Sequence, residues 1–334
     1  MKILLTGGAG YIGSHTAIAL FKEGHEIFIL DNFSNSHYSA VKNLHKILGN
    51  SLFFLEGEIE DTELVKNILS QNQINAVIHF AGLKSVETSI CEPLDYFSCN
   101  VSGSISLLKA MKSCGVRTLV FSSSATVYGL PKYLPYDENH PLNPINPYGR
   151  TKRQVEEILE DLSKSSLEWK FAILRYFNPV GAHESGLVGE NPKGKPSNLL
   201  PYITQVVAGK MPYLNIYGND YETKDGTGER DYIHVMDLAE GHVAALNFLE
   251  NNFGCHVFNL GSDKPVSVLE IIKVYENENN VKITKKIMDR RPGDLASYYA
   301  NSNKAKNFLK WIPGRGINEI CSSTYKYFKS NKNS

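Results

Sequence analysis

The sequence predicts an α/β fold, a doubly wound parallel sheet joined to a smaller, mostly C-terminal α/β domain, and three observations predict it. Short apolar runs rich in β-branched residues alternate with longer helical stretches over the first half of the chain. A glycine-rich turn follows the first run, and an aspartate closes the second. Past residue 176 the alternation gives way to segments dense in Gly, Pro, Asn and charge. A chain of 334 residues is long for one domain and comfortable for two.

The apolar runs at 3–5, 27–30, 52–55, 76–80, 119–122 and 171–174 read as strands of one sheet, and the helical stretches between them cover both its faces. Segments 178–201 and 212–231 lack periodicity and read as long loops, which in a compact protein are more often binding elements than idle connections. Residues 235–249 then read as a helix, 256–260 as a strand returning to the first sheet, and 267–275 and 303–309 as further helices. Residues 329–334 form a polar tail. The expected division is 1–176 plus about 235–262 for one domain, and about 177–234 plus 263–334 for the other.

With 42% hydrophobic and 21% charged residues the chain can bury a substantial core. Its 35 basic and 35 acidic residues cancel, so no overall field draws it to nucleic acid or to an anionic membrane. Any anionic ligand must meet local charge. Five scattered cysteines with no C-x-x-C pair suggest free thiols in a reducing compartment, and no zinc or other metal site is expected. The apolar run after Met1-Lys2 is too short for a secretory signal, and no run approaches the ~20 residues of a membrane span. The expectation is a cytoplasmic protein.

Thr6-Gly7-Gly8-Ala9-Gly10-Tyr11-Ile12-Gly13 fits G-x-x-G-x-x-G and, from Gly8, G-x-G-x-x-G. It follows a strand, opens a helix over 14–21, and is answered 18 residues after Gly13 by Asp31 at the end of the next strand. Glycines at 7, 10 and 13 let the backbone approach a pyrophosphate, which the N–H groups and dipole of the helix N-terminus stabilise. Asp31 can accept hydrogen bonds from ribose hydroxyls and would repel a 2′-phosphate, and Asn32-Phe33 offers no arginine to offset it. The pattern favours a Rossmann-type domain that binds NAD rather than NADP.

Tyr148 and Lys152 form Y-x-x-x-K at the head of a helix whose apolar face continues through Val155, Ile158, Leu159 and Leu162. Spacing of four puts both on one face. An unperturbed tyrosine, with a pKa of about 10, is a poor base at neutral pH, but a nearby ammonium and a positive nicotinamide ring favour phenolate. The pair therefore reads as a general base behind an NAD site. Ser124 ends a strand at the carboxyl edge of the sheet, where ligands of such sheets bind, and can hold the reacting oxygen. Ser122 and Ser123 are assigned to local capping.

Together with His79-Phe80-Ala81-Gly82-Leu83-Lys84, Arg175-Tyr176-Phe177-Asn178-Pro179-Val180-Gly181-Ala182-His183, Asp225-Gly226-Thr227-Gly228, Arg230-Asp231-Tyr232-Ile233-His234-Val235 and Arg290-Arg291-Pro292-Gly293-Asp294, these motifs carry a resemblance over almost the whole chain. The chain resembles the extended short-chain dehydrogenase/reductases, most closely the UDP-glucose 4-epimerases. That resemblance implies an isomerase of galactose metabolism. It would interconvert UDP-galactose and UDP-glucose through a 4-keto sugar, with bound NAD as a recycled hydride carrier and a homodimer as the assembly. Tyr148 would take the 4-hydroxyl proton, Ser124 would hydrogen-bond the oxygen, and Lys152 would hold the nicotinamide ribose and lower the tyrosine pKa.

By the same resemblance, Tyr11, Ile12, Asp31, Asn32, Asn35, Ser36, Glu58, Ile59, Phe80, Ala81, Gly82, Lys84, Tyr148, Lys152 and Phe177 would line NAD. The nucleotide sugar would meet Lys84, Ser124, Tyr148, Asn178, Asn198, Leu199, Asn215, Ile216, Tyr217, Arg230, Arg291, Asp294 and Tyr298. The two arginines suit a diphosphate, and Asp294 can accept hydrogen bonds from a nucleoside. Two departures stand out. Glu58 replaces an aspartate common beside the adenine, and Cys99, replacing a common asparagine, is left out of the site. The bulk of Tyr298 is expected to disfavour N-acetylated sugars. Another nucleotide-sugar epimerase or a 4,6-dehydratase is the alternative, but a dehydratase typically has Asp-Glu directly after the catalytic Ser or Thr, where Ala125-Thr126 stands here. An idle NAD sensor need not retain Ser124, Tyr148 and Lys152 together.

Overall fold

The computed structural model describes residues 1–49, 52–194, 196, 198–291 and 293–331. Pro292 of the Arg-Arg-Pro-Gly-Asp motif and residues 332–334 of the polar tail lie outside the described residues. In the first half, β1 (Lys2–Thr6), α1 (Tyr11–Lys22), β2 (Glu26–Asp31), α2 (Tyr38–Leu48), β3 (Leu52–Glu56), α3 (Thr62–Gln71) and β4 (Ala76–His79) alternate. Next come α4 (Val86–Cys91), α5 (Pro93–Tyr96), a π-helical turn at Phe97–Ser102, α6 (Gly103–Ser113), β5 (Thr118–Ser124), α7 (Pro147–Ser165) and β6 (Lys170–Tyr176). The second half runs β7 (Asn178–Val180), α8 (Leu199–Val207), β8 (Leu214–Tyr217), β9 (Glu229–His234), α9 (Val235–Asn251) and β10 (Gly254–Leu260). It continues β11 (Pro265–Ser267), α10 (Val268–Asn279), β12 (Lys285–Met288), β13 (Ser297–Tyr298), α11 (Asn303–Phe308) and α12 (Ile317–Asn331).

Seven strands form one all-parallel sheet in the order β10-β6-β5-β4-β1-β2-β3. The central strands β1 and β4 are buried throughout β4 and for all but the first residue of β1, as strands covered on both faces must be. On one face α1, α2 and α9 pack Ala17, Leu20, Val41, Leu44, Leu238 and Leu246 against Ile3, Leu5 and Ile29. On the other α3, α6 and α7 pack Val65, Leu107, Met111, Val155 and Leu159 against Leu4, Val77 and Phe171. The strand order reverses between β1 and β4, so the crevice for a ligand opens at their carboxyl ends.

The segments read as loops at 178–201 and 212–231 contain β7, β8 and part of β9, a correction to the sequence reading. Strand β9 gathers β11, β13 and β7, and β8 pairs in parallel with β12. Val180, Leu200, Ile203, Leu214, Ile216, Ile271, Ile272 and Tyr275 make their separate core. Helix α1 begins at Tyr11, three residues before the expected start, because Ser14 N–H already bonds to Gly10 C=O at 2.9 Å. Among the described residues no helix is long and apolar enough to cross a membrane.

Candidate active site

The turn from β1 to α1 passes so close to the end of β4 that side chains are excluded. Gly7 sits at φ +69°, and a Cβ there would lie 2.7 Å from Ala81 N. A Cβ on Gly13 would lie 2.6 Å from Gly7 O. Gly10 is the N-cap of helix α1, which has no side-chain cap and no acidic residue in its first turn. Its first N–H groups and the positive end of its dipole remain for an anion. At the end of β2 the Asp31 carboxylate accepts from Ala9 N–H at 3.0 Å, Phe33 N–H at 2.9 Å and the Ser36 hydroxyl at 2.7 Å. A carboxylate has about four acceptor positions, so one is left for a ribose hydroxyl. The cradle fits a dinucleotide: small where a pyrophosphate must pass, and closed by an acceptor rather than a cation.

A cavity of about 340 Å³ runs from this turn across the carboxyl ends of the strands. Every residue expected at NAD lies in its wall, from Gly7, Gly10, Tyr11, Ile12 and Gly13 through Asp31, Asn32, Asn35 and Ser36 to Glu58, Ile59, Phe80, Ala81, Gly82, Lys84 and Phe177. Asn32 Nδ2 donates to Glu58 Oε2 at 2.7 Å, so a neighbour holds the longer acidic side chain. Cys99 also lines the cavity, which corrects its exclusion from the site. It is carried there by the π-helical turn, a feature frequent at functional sites. Burial pushes its thiol up to about 11.

Tyr148 and Lys152 enter the same cavity from the first turns of α7. That helix starts where it does because Asn146 caps it, its side chain accepting Gly149 N–H at 2.8 Å, and because Pro147 supplies a fixed φ at the first position. Lys152 Nζ donates to Ser122 C=O at 2.8 Å and lies 6.0 Å from the centre of the Tyr148 ring. Burial lowers its ammonium to about 8, opposed by Cys99 and Glu156. Burial also pushes Tyr148 up to about 12, opposed by the Ser124 hydroxyl. The expectation that Lys152 lowers Tyr148 is therefore not met by the side chains alone: desolvation of the phenol outweighs it, and the ammonium faces a carbonyl. Ser124 Oγ accepts from Thr126 N–H at 3.2 Å and Thr126 Oγ1 at 3.0 Å, leaving its own O–H to donate into the cavity.

Ser122 and Ser123 are not local caps. Ser122 Oγ bonds the Tyr176 hydroxyl, and Ser123 Oγ donates to Glu156 at 2.6 Å, both across elements. Of the residues expected at a nucleotide sugar, Lys84, Asn178, Asn198 and Tyr298 line the cavity with Ser124 and Tyr148. Leu199, Asn215, Ile216, Tyr217, Arg230, Arg291 and Asp294 lie outside its wall. Leu199 opens α8, and on β8 the alternation turns Leu214 and Ile216 into the core and Asn215 and Tyr217 outward. The Ile216 side chain is thus core, leaving only its backbone for a ligand. Arg230 is ion-paired with Asp294 and donates to Leu295 C=O at 2.9 Å, and Arg291 stacks 3.9 Å above the centre of the Tyr217 ring. Sequence reasoning missed Glu190 in the cavity wall, where it accepts from Asn198 at 2.7 Å and faces Lys84 at 3.6 Å.

Residues 3–261 match the NAD dependent epimerase/dehydratase family. The chain is 50% identical over 333 residues to a UDP-glucose 4-epimerase of Bacillus subtilis, covering 100% of this chain and 98% of that one. In structure it is similar to a UDP-glucose 4-epimerase from Stenotrophomonas maltophila with bound NAD and formylated UDP-arabinopyranose, with a TM-score of 0.98, 45% identity, and 100% and 99% of the two chains covered. It is likewise similar to the enzyme from Bifidobacterium longum in complex with NAD+ and UDP, with a TM-score of 0.95, 44% identity, and 100% and 99% covered.

Proposed function

The chain belongs to the NAD dependent epimerase/dehydratase family, and from that membership we propose that it works as a UDP-glucose 4-epimerase, interconverting UDP-galactose and UDP-glucose. One observation carries the reading: Ser124, Tyr148 and Lys152 converge with the glycine turn and Asp31 on a single cavity that Asn178, Asn198 and Tyr298 also line. Bound NAD would supply the acceptor and donor of the hydride and a positive charge near Tyr148.

Tyr148 takes the proton of the sugar 4-hydroxyl as that carbon is oxidised to a ketone, and Ser124 donates a hydrogen bond to the same oxygen. Lys152, cationic below about pH 8, would hold a ribose hydroxyl of the bound dinucleotide and add its charge to that of the nicotinamide in favouring the phenolate. The 4-keto sugar then presents its other face. Reduction there inverts the centre, Tyr148 returns the proton, and no net redox change results. Residues 1–176 with about 235–262 would hold the dinucleotide, and the remainder the UDP-sugar. For substrate to bind, the Arg230–Asp294 pair must share its charges with the diphosphate and nucleoside. Exposed Ile90 and Leu94 on α4 and α5 support a homodimer, and neutral charge with unpaired cysteines supports a cytoplasmic setting.

Proton NMR of UDP-galactose with the purified protein and no added NAD tests the reading. Growth of the UDP-glucose anomeric signal is expected. Unchanged signals for both sugars, with NAD added as well, would point to another reaction.

A further inference from the structure

A buried ion pair lies beneath the cavity. Glu156 follows Lys152 by one turn on α7, Arg175 lies on β6, and both are at most 2% exposed. Arg175 Nε donates to Glu156 Oε1 at 2.9 Å and Nη2 to Oε2 at 2.7 Å, a forked grip on both oxygens. Ser123 of β5 adds a third donor at 2.6 Å, and Arg153 a fourth at 3.4 Å. From Arg175 the network continues. Nη1 donates to the Tyr128 hydroxyl at 3.3 Å, that hydroxyl to Asn259 Oδ1 on β10 at 2.6 Å, and Asn259 Nδ2 to Tyr136 C=O at 2.9 Å. The Tyr136 ring then packs on Tyr298, 4.9 Å between centres, in the cavity wall.

Stability does not account for such a pair, because desolvation offsets most of its attraction and packed apolar side chains commonly do as well. Direction does. Val155 and Leu159 bury much the same area if α7 rolls slightly on the sheet, whereas a forked bond to a planar guanidinium tolerates no such roll. We propose that Glu156 and Arg175 are positioning residues: they fix the roll of α7, hence Tyr148 and Lys152, against the aromatic wall that ends in Tyr298. The proposal rests on the epimerase reading of the cavity. Glu156 and Cys99 act on the Lys152 charge, and His79 and Tyr148 stand beside it.

Two variants test it, Glu156→Gln and the doubly apolar Glu156→Met/Arg175→Met, which removes both charges of the pair together. In each, kcat for UDP-galactose should fall roughly 10- to 100-fold while KM moves less than about threefold, the signature of displaced reacting groups. Lysine ε-carbon NMR of the nucleotide-free proteins should show Lys152 titrating at lower pH, since the carboxylate that favours its proton is gone. A folded variant with kcat within about threefold of the parent would overturn the proposal, as would a loss of kcat with the Lys152 titration unmoved. If neither pair variant folds, kcat and KM of Ser123→Ala, which removes one donor from Glu156, decide in the same sense. A parent that leaves UDP-galactose unchanged sinks the epimerase reading, while the lysine titration still decides whether Glu156 acts on the Lys152 charge.

Discussion

Replacing Lys152 by methionine should stabilise the protein at neutral pH while disabling it. The buried ammonium titrates at about 8 instead of 10.5, and at 1.36 kcal/mol per pH unit that difference is roughly 3 kcal/mol against the charged form. Methionine fills similar space and carries no charge, but forfeits the 2.8 Å hydrogen bond to Ser122 C=O, which costs about 1–2 kcal/mol. The variant should therefore be more stable by about 1–2 kcal/mol at pH 7. The pH dependence has a definite sign. Between about 8 and 10.5 the unfolded chain holds the lysine proton and the folded chain does not, so the parent gains stability as pH rises and loses it as pH falls through about 8. From about pH 7 to pH 9.5 the advantage of the variant should shrink by about 2 kcal/mol. Urea unfolding of both nucleotide-free proteins across that range measures the difference, in which titrating groups that do not feel the Lys152 charge cancel. A difference that stays flat with pH, or a variant clearly less stable at pH 7, would refute the reasoning. Activity should drop roughly 100-fold or more.

Three further outcomes follow from the same geometry. Tyr148→Phe should lower kcat by roughly 10²- to 10⁴-fold with UDP affinity within a few-fold of the parent, read by turnover and by calorimetric titration of UDP; a sensor protein would keep its function. Tyr298 packs against Tyr136 and Phe177 with ring centres 4.9 and 5.2 Å away, so Tyr298→Ala should raise kcat/KM for UDP-N-acetylglucosamine relative to UDP-glucose by roughly tenfold in a competition assay. Buried His15 and His234 are held neutral by desolvation, at about 4 and about 3. Their folded values lie below the ordinary 6.5, so stability is full above that pH and falls as the solution is acidified toward 4 and 3. Acid unfolding followed by circular dichroism should show this slope, and His234→Asn should flatten it.

The sheet was legible because each of its first six strands is a compact apolar run and the connecting helices carry their own period. The glycine turn with Asp31 was legible because its chemistry is local: Gly7 and Gly13 are required by close approach, and Asp31 stands one strand away. What escaped was non-local. Strands β7, β11 and β13 have only 3, 3 and 2 residues and exist because β9 pairs with them, so their segments show no alternation of their own. Helix α12 is rich in Ser and Lys, and its buried stripe of Ile320, Cys321 and Thr324 is too thin to stand out before its partner α10 is in place. In the site, Ser123 reads as a capping residue until β5 and α7 are brought together. Cys99 was set aside for what its thiol lacks, though the π-helical turn still delivers it to the cavity.

The most direct test of the central claim, that one carbon is oxidised and then reduced from its other face within a single closed site, is the fate of a label at that carbon. UDP-galactose bearing deuterium at sugar carbon 4 should yield UDP-glucose with the deuterium retained at carbon 4, as seen by mass spectrometry and proton NMR. Replacement of the label by solvent hydrogen would contradict the account, because the carbon-bound hydrogen would then have left as a proton rather than as a hydride held at the site.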